Sequence, residues 1–265
     1  PFVTAAGLKV YAQKKPESPF AASVDGIKFN TNTRKPLLGV GNKKILCIGD
    51  AHFPWVHKGA LEAIYQYIRV NPDITDVVQL GDLYDMYSWA KFPRSHMLYT
   101  PKAEIELGRA MAEEMWATIG NMLPNARCYQ IMGNHDVRPL KKVIELVPEV
   151  EIFVEFSKWF EFPGVKTVTD HREWLEIGNV SFTHGHLSTP GAHARSFDRN
   201  VVCGHSHKGS VQYLNCRDGK MLFELNCGYI GDPMSRPMSY TAKNQVPWTL
   251  GFGVIDQWGP RFIAL

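Results

Sequence analysis

The sequence predicts an α/β fold: parallel strands in the centre, extended by antiparallel ones, forming a sandwich of two mixed β-sheets flanked by helices. Three observations predict it. The first half of the chain alternates strand-like and helical periods, the rhythm of a parallel sheet with crossover helices. The second half is rich in short strands, with the two-residue hairpin signals Gly178-Asn179 and Asp218-Gly219. Five apolar runs end in side chains that bind metals: Asp50-Ala51-His52, Gly81-Asp82, Gly133-Asn134-His135-Asp136, Thr183-His184-Gly185-His186 and Gly204-His205-Ser206-His207. Open α/β sheets bind ligands at the carboxyl ends of their strands.

Residues 1–42 contain Pro16, Pro19 and Pro36 among Ser, Asn, Thr and Lys, show no strong period, and are expected to form an N-terminal arm. The domain is expected over 43–265. A strand at 45–49 leads into the Asp50–His52 loop, and Leu61, Ile64, Tyr65 and Ile68 then fall at helical spacing until Asn71-Pro72. Asp76–Leu80 is the next strand, and residues 83–100 are aromatic and irregular. After Pro101 a long helix carries Ile105, Ala112, Met115, Ile119 and Met122 on one stripe, a pattern of core packing. Ala126–Met132 is the third strand, followed by helical patterns over about 138–147 and 150–160. Strands are predicted at 165–169, 173–177, 180–184, 200–203, 210–216, 221–227, 250–256 and 261–264, with a surface loop at 233–249.

The 265 residues suffice for one sizeable α/β domain, and 45% hydrophobic with 21% charged residues is an ordinary globular composition. A net charge of +3 does not by itself indicate a nucleic-acid partner. The five cysteines are odd in number and lack CxxC spacing. A turn at Asp218-Gly219 would pair position 216 with 221 and Cys227 with a residue near 210, so no Cys216–Cys227 disulfide is expected. Reduced cysteines fit a cytoplasmic location. No apolar run is long enough to span a membrane, so no membrane partner is expected.

Carboxylate, amide oxygen and imidazole together suit divalent ions such as manganese, iron or zinc. Asp50, His52, Asp82, Asn134, a histidine from the 184/186 pair, His205 and His207 are too many for one ion with an open position. They suit two ions sharing a carboxylate, about 3.5–4 Å apart, a usual device for hydrolysing phosphate esters. Each motif alone has a plain structural reading as a turn or as loop histidines; five in order after apolar runs do not.

The pattern D-x-H, G-D, G-N-H-D, H and G-H-x-H over residues 50–207 resembles the calcineurin-like metallophosphoesterase superfamily. The resemblance implies the metallophosphoesterase-type sandwich and a hydroxide, activated by two divalent ions, that attacks phosphorus in line. Manganese is the expected ion, with iron, zinc, nickel and magnesium as alternatives. It further implies that Asp50, His52 and His207 bind one ion, that Asn134, His184 and His205 bind the other, and that Asp82 bridges. His135 resembles the family's non-ligand catalytic histidine, which stabilises charge on the phosphate or protonates the leaving oxygen. Asp85, three residues after Asp82, matches the aspartate that orients it, and Asp136 competes for that role or binds its own loop. His186 is assigned to substrate or to a supporting position. The Asn-Cys-Gly turn at 226–228 resembles the family's Asn-Pro-Gly ending.

Protein phosphatases of the family carry arginines where this chain has Met86 and Met132, which demotes phosphoprotein hydrolysis. Arg138 either reaches a substrate phosphate or lies on the surface. Phe53, Trp55, Tyr84, Tyr87 and Trp89 follow the first two motifs, and Trp55 and Tyr84 are candidates to stack on a base. Lys91, Arg94, Lys102, Lys141 and Lys142 are candidate backbone contacts. The expected activity is a phosphodiesterase or nuclease acting on nucleic acid or nucleotides. The alternatives are a phosphomonoesterase and a non-catalytic interaction module of the same fold. The compact length argues against a large added DNA-capping domain, so a nuclease activity is expected to be modest in selectivity or to need a homo-oligomer.

Overall fold

The computed structural model describes residues 2–3, 9–10, 39–90, 99–147, 149, 155–170, 173–216, 221–241 and 247–265. The chain divides into two compact units, Pro1–Lys35 and Pro36–Leu265. In the first, strands β1 (Phe2–Val3) and β2 (Lys9–Val10) pair antiparallel. The second unit begins ahead of Lys43, and its Val40 is buried between the two sheets described below.

The second unit holds strands β3 (Ile45–Ile48), β4 (Asp76–Gln79), β5 (Arg127–Ile131), β6 (Val165–Val168), β7 (Leu175–Ile177) and β8 (Val180–Phe182). It continues with β9 (Asn200–Cys203), β10 (Ser210–Asn215), β11 (Met221–Asn226), β12 (Gly251–Asp256) and β13 (Gly259–Ala264). One sheet has six strands in the order β13-β12-β3-β4-β5-β6, with β3 to β6 parallel and β12 antiparallel to β3. The other has five, β10-β11-β9-β8-β7, with β8, β9 and β11 parallel. Both sheets are therefore mixed.

Strand β3 shows why they stack. Its side chains alternate, as the period of two requires. Ile45 and Cys47 face Val78, Leu80, Phe182, Val202 and Leu225 between the sheets. Leu46 and Ile48 face a second apolar layer under the helices. That layer is closed by α1 (Lys58–Val70), through Ala60, Ile64 and Ile68, and by α2 (Pro101–Met122), through Ile105, Ala112, Met115 and Ile119. Thr100 accepts from the Ala103 N–H at 3.2 Å ahead of Pro101, a capped start with proline in the first turn. The outer face of the five-stranded sheet carries α4 (Ala192–Phe197), whose Ala194 packs with Val201 and Cys203. The sheets approach so closely that a Cβ on Gly253 would lie 2.4 Å from Cys227 Sγ.

Several expectations change. Leu214 pairs with Leu222 and Asn215 with Met221, so the β10–β11 register is one residue from that of a two-residue turn at Asp218-Gly219. That dipeptide lies outside the described residues. The Gly178-Asn179 turn is as expected, joining Ile177 to Val180 with Gly178 at φ 64°. Helix α4 was not anticipated, because six residues carry no readable stripe. Phe156–Phe160 and Arg236–Thr241 are 3-10 helices, the first where an α-helix and the second where a loop was expected. The other helix of that region, α3 (Arg138–Leu146), begins two residues after Asp136. All five cysteines are free. No helix among the described residues is long and apolar enough to cross a membrane.

Candidate metal centre

All five motifs lie just beyond strand ends on one edge of the sandwich. Asp50 and His52 follow β3, Asp82 follows β4, Asn134 follows β5, His184 follows β8, and His205 and His207 follow β9. Side chains from both sheets thus meet at the carboxyl ends of parallel strands. The backbone there is unusual. His52, Asp82, His205 and His207 have φ of 53°, 48°, 66° and 58°, a region costly for residues with a Cβ. Strain of this kind concentrates at functional sites.

Two clusters of ligand atoms form. In the first, His52 Nε2 and His207 Nε2 are 3.2 Å apart, and Asp50 Oδ1 lies 3.8 Å from the latter. In the second, Asn134 Oδ1 lies 2.9 Å from His184 Nε2 and 2.8 Å from His205 Nδ1. The two imidazole nitrogens of that cluster are 3.3 Å apart. Asp82 Oδ2 adds to it at 3.3 Å from His184 Nε2, and Asp50, Asp82 and His184 form a third close group that joins the two. It is His184, and not His186, that meets Asn134 and His205.

Supporting contacts aim these atoms. His184 Nδ1 lies 2.9 Å from the Leu80 carbonyl, to which it donates, so Nε2 is the nitrogen turned to the cluster. Asn226 donates through Nδ2 to the Gly204 carbonyl at 2.8 Å and to Ser206 Oγ at 2.9 Å, and its Oδ1 accepts from Gly228 N–H at 3.1 Å. The His205 N–H donates to Asp50 at 3.0 Å. A Cβ on Gly133 would fall 2.1 Å from Asp82 Oδ1, so only glycine fits beside that carboxylate. Asp136 accepts from the N–H groups of Gly133, Leu83 and Tyr84 at 2.8, 3.2 and 2.9 Å. It ties two motif loops together and leaves His135 to other partners.

His135 sits against His52, ring centroids 4.7 Å apart, with its main-chain N–H donating to Asp82 Oδ1 at 2.8 Å. Its Nδ1 lies 2.9 Å from the main-chain carbonyl of Asp85. The Asp85 carboxylate is nearer to His52 Nδ1, at 3.0 Å, than to His135 Nδ1, at 3.7 Å. Asp85 therefore touches His135 through its backbone and His52 through its side chain. Arg138 donates to the same Asp85 carbonyl at 2.9 Å and places its other nitrogen 2.8 Å from His135 Nε2.

Electrostatics test whether cations fit. Burial pushes the Asp50 carboxyl up to about 6, helped by Asp82 and opposed by His184. Burial opposes a charge on His184, yet Asp82 and Asp50 raise it to about 10. The cluster thus draws protons in to offset buried carboxylate charge, the role a divalent cation takes in such a donor set. Burial and the neighbouring His52 hold His207 well below the usual imidazole range, keeping it neutral as a ligand must be. The oxygen and imidazole donors and their spacing fit divalent ions.

The remaining site residues divide. Tyr84 is 1% exposed, its ring 5.2 Å from Phe160 and its hydroxyl donating to the Trp159 carbonyl at 2.8 Å. It is core, which corrects its expected place as a base-stacking platform. Trp55 is half-buried against Tyr99, ring centroids 5.5 Å apart. Met86 and Met132 are buried. Lys91 and Arg94 lie outside the described residues. His186 lines a cavity of about 540 Å³ shared with Asn134, His184 and His205, whose other walls include Lys141, Trp174 and Phe197. Trp174 and Phe197 were missed because no motif surrounds them. The rings on His207, Tyr229 at 5.0 Å and Trp248 at 4.3 Å, were also missed.

Against known proteins, the calcineurin-like phosphoesterase family model matches residues 43–209, which contain every ligand of both clusters. No curated protein matches the chain in a whole-sequence comparison.

Proposed function

From a chain that belongs to the calcineurin-like phosphoesterase family, we propose a hydrolase that uses two divalent ions to cleave phosphodiesters of nucleotides or nucleic acid. The observation that carries the reading is the convergence of two ligand clusters with Asp82 and Asp50 between them. Asp50, His52 and His207 would hold one ion, Asn134, His184 and His205 the other, and Asp82 would serve both. Divalent ions bound there would lower the pKa of water and offset charge on the phosphate oxygens. Manganese is the ion we favour for this set of hard and borderline donors.

The chain's own groups supply the rest. His135 takes its orientation from the Asp85 carbonyl at Nδ1, which leaves Nε2 for proton transfer. Burial pulls the ring down to about 4, so Nε2 would first take a proton from water and then pass it to the departing oxygen. Arg138, 2.8 Å from that nitrogen, would swing to a phosphate oxygen when substrate arrives and release Nε2 for this task. Asp85 positions both histidines. The preference for diesters is supported by Met86 and Met132, which stand buried where the family's protein phosphatases place phosphate-binding arginines. Five free cysteines support a reducing, cytoplasmic setting.

Hydrolysis of chromogenic phosphodiester and monoester substrates, with added manganese and with chelator, tests this. Metal-dependent turnover of the diester is expected. If neither ester turns over with any divalent ion, the enzyme reading fails and an interaction module takes its place. Turnover of the monoester alone would sink the diester preference.

A further inference from the structure

We propose that the cavity beside Asn134, His184 and His205 is the pocket for the organic group of the ester, and that this group is a nucleoside. The inference rests on the phosphoesterase reading of the centre. Three observations carry it. First, the cavity shares three residues of one ligand cluster, so a phosphate at the centre projects an ester group straight into it. Second, its size of about 540 Å³ falls in the range of pockets that enclose one small organic group. Third, its far walls are aromatic: Trp174 and Phe197, ring centroids 4.8 Å apart at 70°. His186 adds a third ring, 6.3 Å from Phe197.

These walls are held in place before any ligand arrives. Arg199 lies over the Trp174 ring at 5.6 Å, and its guanidinium is fixed by Glu176 at 3.0 Å. Phe197 rides on α4, whose start is anchored by the buried Glu224. That carboxylate accepts from the N–H groups of Gly191, His193 and Ala194 at 2.7, 2.7 and 3.1 Å. On the same helix His193 accepts at Nε2 from the N–H groups of His186 and Leu187, at 3.0 and 3.1 Å. The chain after His184 and the aromatic wall are thus one braced unit. Phe197 remains 40% exposed, an apolar ring with part of its surface open to a ligand. Planar aromatic walls favour a planar aromatic occupant, and the exposed Lys141 at the rim suits a ligand with further negative charge. A nucleotide has both.

The test is calorimetric, on the manganese-loaded protein, with phosphonates whose P–C bond cannot be hydrolysed. Methylphosphonate, octylphosphonate and a nucleoside 5′-methylenephosphonate share the head group and differ in what enters the cavity. The nucleoside compound is expected to bind at least about tenfold more tightly than methylphosphonate. Trp174→Ala and Phe197→Ala should each weaken that advantage, by about fivefold to a hundredfold for a full stacking contact. Trp174→Phe should restore part of it. Trp258→Ala, on the distant β12–β13 turn, should leave it intact. Methylphosphonate affinity reports separately on the metal centre. If methylphosphonate fails to bind, the reading of the centre falls and takes this inference with it. If methylphosphonate binds but the nucleoside adds nothing, or the octyl chain is preferred, or both alanine variants keep the full advantage, the centre stands and the nucleoside pocket is refuted.

Discussion

Replacing Asn226 by alanine tests whether the metal centre depends on residues that never touch an ion. Asn226 is 6% exposed; two of its hydrogen bonds tie the end of β11 to the Gly204–Ser206 loop, and its Oδ1 holds the Gly228 N–H of its own turn. Truncation leaves the Gly228 N–H without its partner and removes one of the two donors to the Gly204 carbonyl, which keeps the Ser206 N–H at 2.8 Å. An unsatisfied buried group costs about 1–3 kcal/mol and each lost hydrogen bond about 1 kcal/mol, so a loss of about 3 kcal/mol is expected. At roughly 2–4 °C per kcal/mol for a domain of this size, the metal-free melting temperature should fall by about 6–12 °C. Because the loop carries His205 and His207, manganese affinity should fall by about 10–100-fold as well, the usual effect of removing an outer-shell support. Thermal melts of metal-free protein and manganese titration calorimetry measure the two separately. Asn226→Asp sharpens the test: it keeps the acceptor for Gly228 but turns an oxygen toward the Gly204 carbonyl, so it should be at least as damaging as alanine. A stability loss without any loss of metal affinity would show that Asn226 only staples the fold. An aspartate variant that behaves like wild type would refute the hydrogen-bond assignment itself.

Four further outcomes are expected. Gly133→Ala forces a Cβ to within 2.1 Å of Asp82 Oδ1 and should cost about 1–3 kcal/mol of stability and at least about tenfold in manganese affinity, read by the same two methods. His135→Ala should retain manganese by titration yet lose about 10²–10⁴-fold in turnover; loss of the metal instead would show that His135 is a ligand. Glu224→Gln should cost about 2 kcal/mol at neutral pH in urea unfolding of metal-free protein. Burial opposes the Glu224 charge, but His193 and the main-chain N–H groups outweigh it and hold its carboxyl below the usual 4.5. Its stabilisation is therefore complete above about pH 4.5 and lost as pH falls through the lower folded value, so the gap between wild type and variant should close in acid. Finally, manganese at a hundred times its Kd should raise wild-type stability by about 2.7 kcal/mol, and Asp82→Asn should abolish most of that gain.

What the sequence made legible was local. Ile45–Ile48 and Asp76–Gln79 could be read as strands, and their following Asp50, His52 and Asp82 as ligands, because strand and loop are contiguous in the chain. What escaped depends on distant partners. Helix α4 exists because Glu224, 33 residues from Gly191, binds its first N–H groups, and no stripe in its six residues announces it. The cavity escaped because Trp174 and Phe197 belong to separate segments that meet only after β7 and α4 pack. Tyr84 was misread because an aromatic residue after a strand looks the same whether it walls a pocket or fills the core. Asp85 shows a subtler limit. Its spacing from Asp82 placed it near the site but did not say which histidine its carboxylate would face, and at 3.0 Å it faces His52.

The spacing in Gly204-His205-Ser206-His207 now has a physical reason. In an extended strand, residues two apart point to the same side, so two such histidines would crowd one ion. Here both adopt positive φ, 66° and 58°, with the Ser206 N–H turned back to the Gly204 carbonyl at 2.8 Å. That local coil breaks the alternation. His205 Nδ1 goes to Asn134 and His184, while His207 Nε2 goes to His52. The conformation costs about 1–2 kcal/mol per residue, and it survives because Asn226, the Asp50 carboxylate and the rings of Tyr229 and Trp248 constrain the loop from three sides. Two imidazoles one residue apart can therefore serve two clusters only if the backbone between them is strained. Relaxing that strain should disturb both clusters together, because one loop carries a ligand to each.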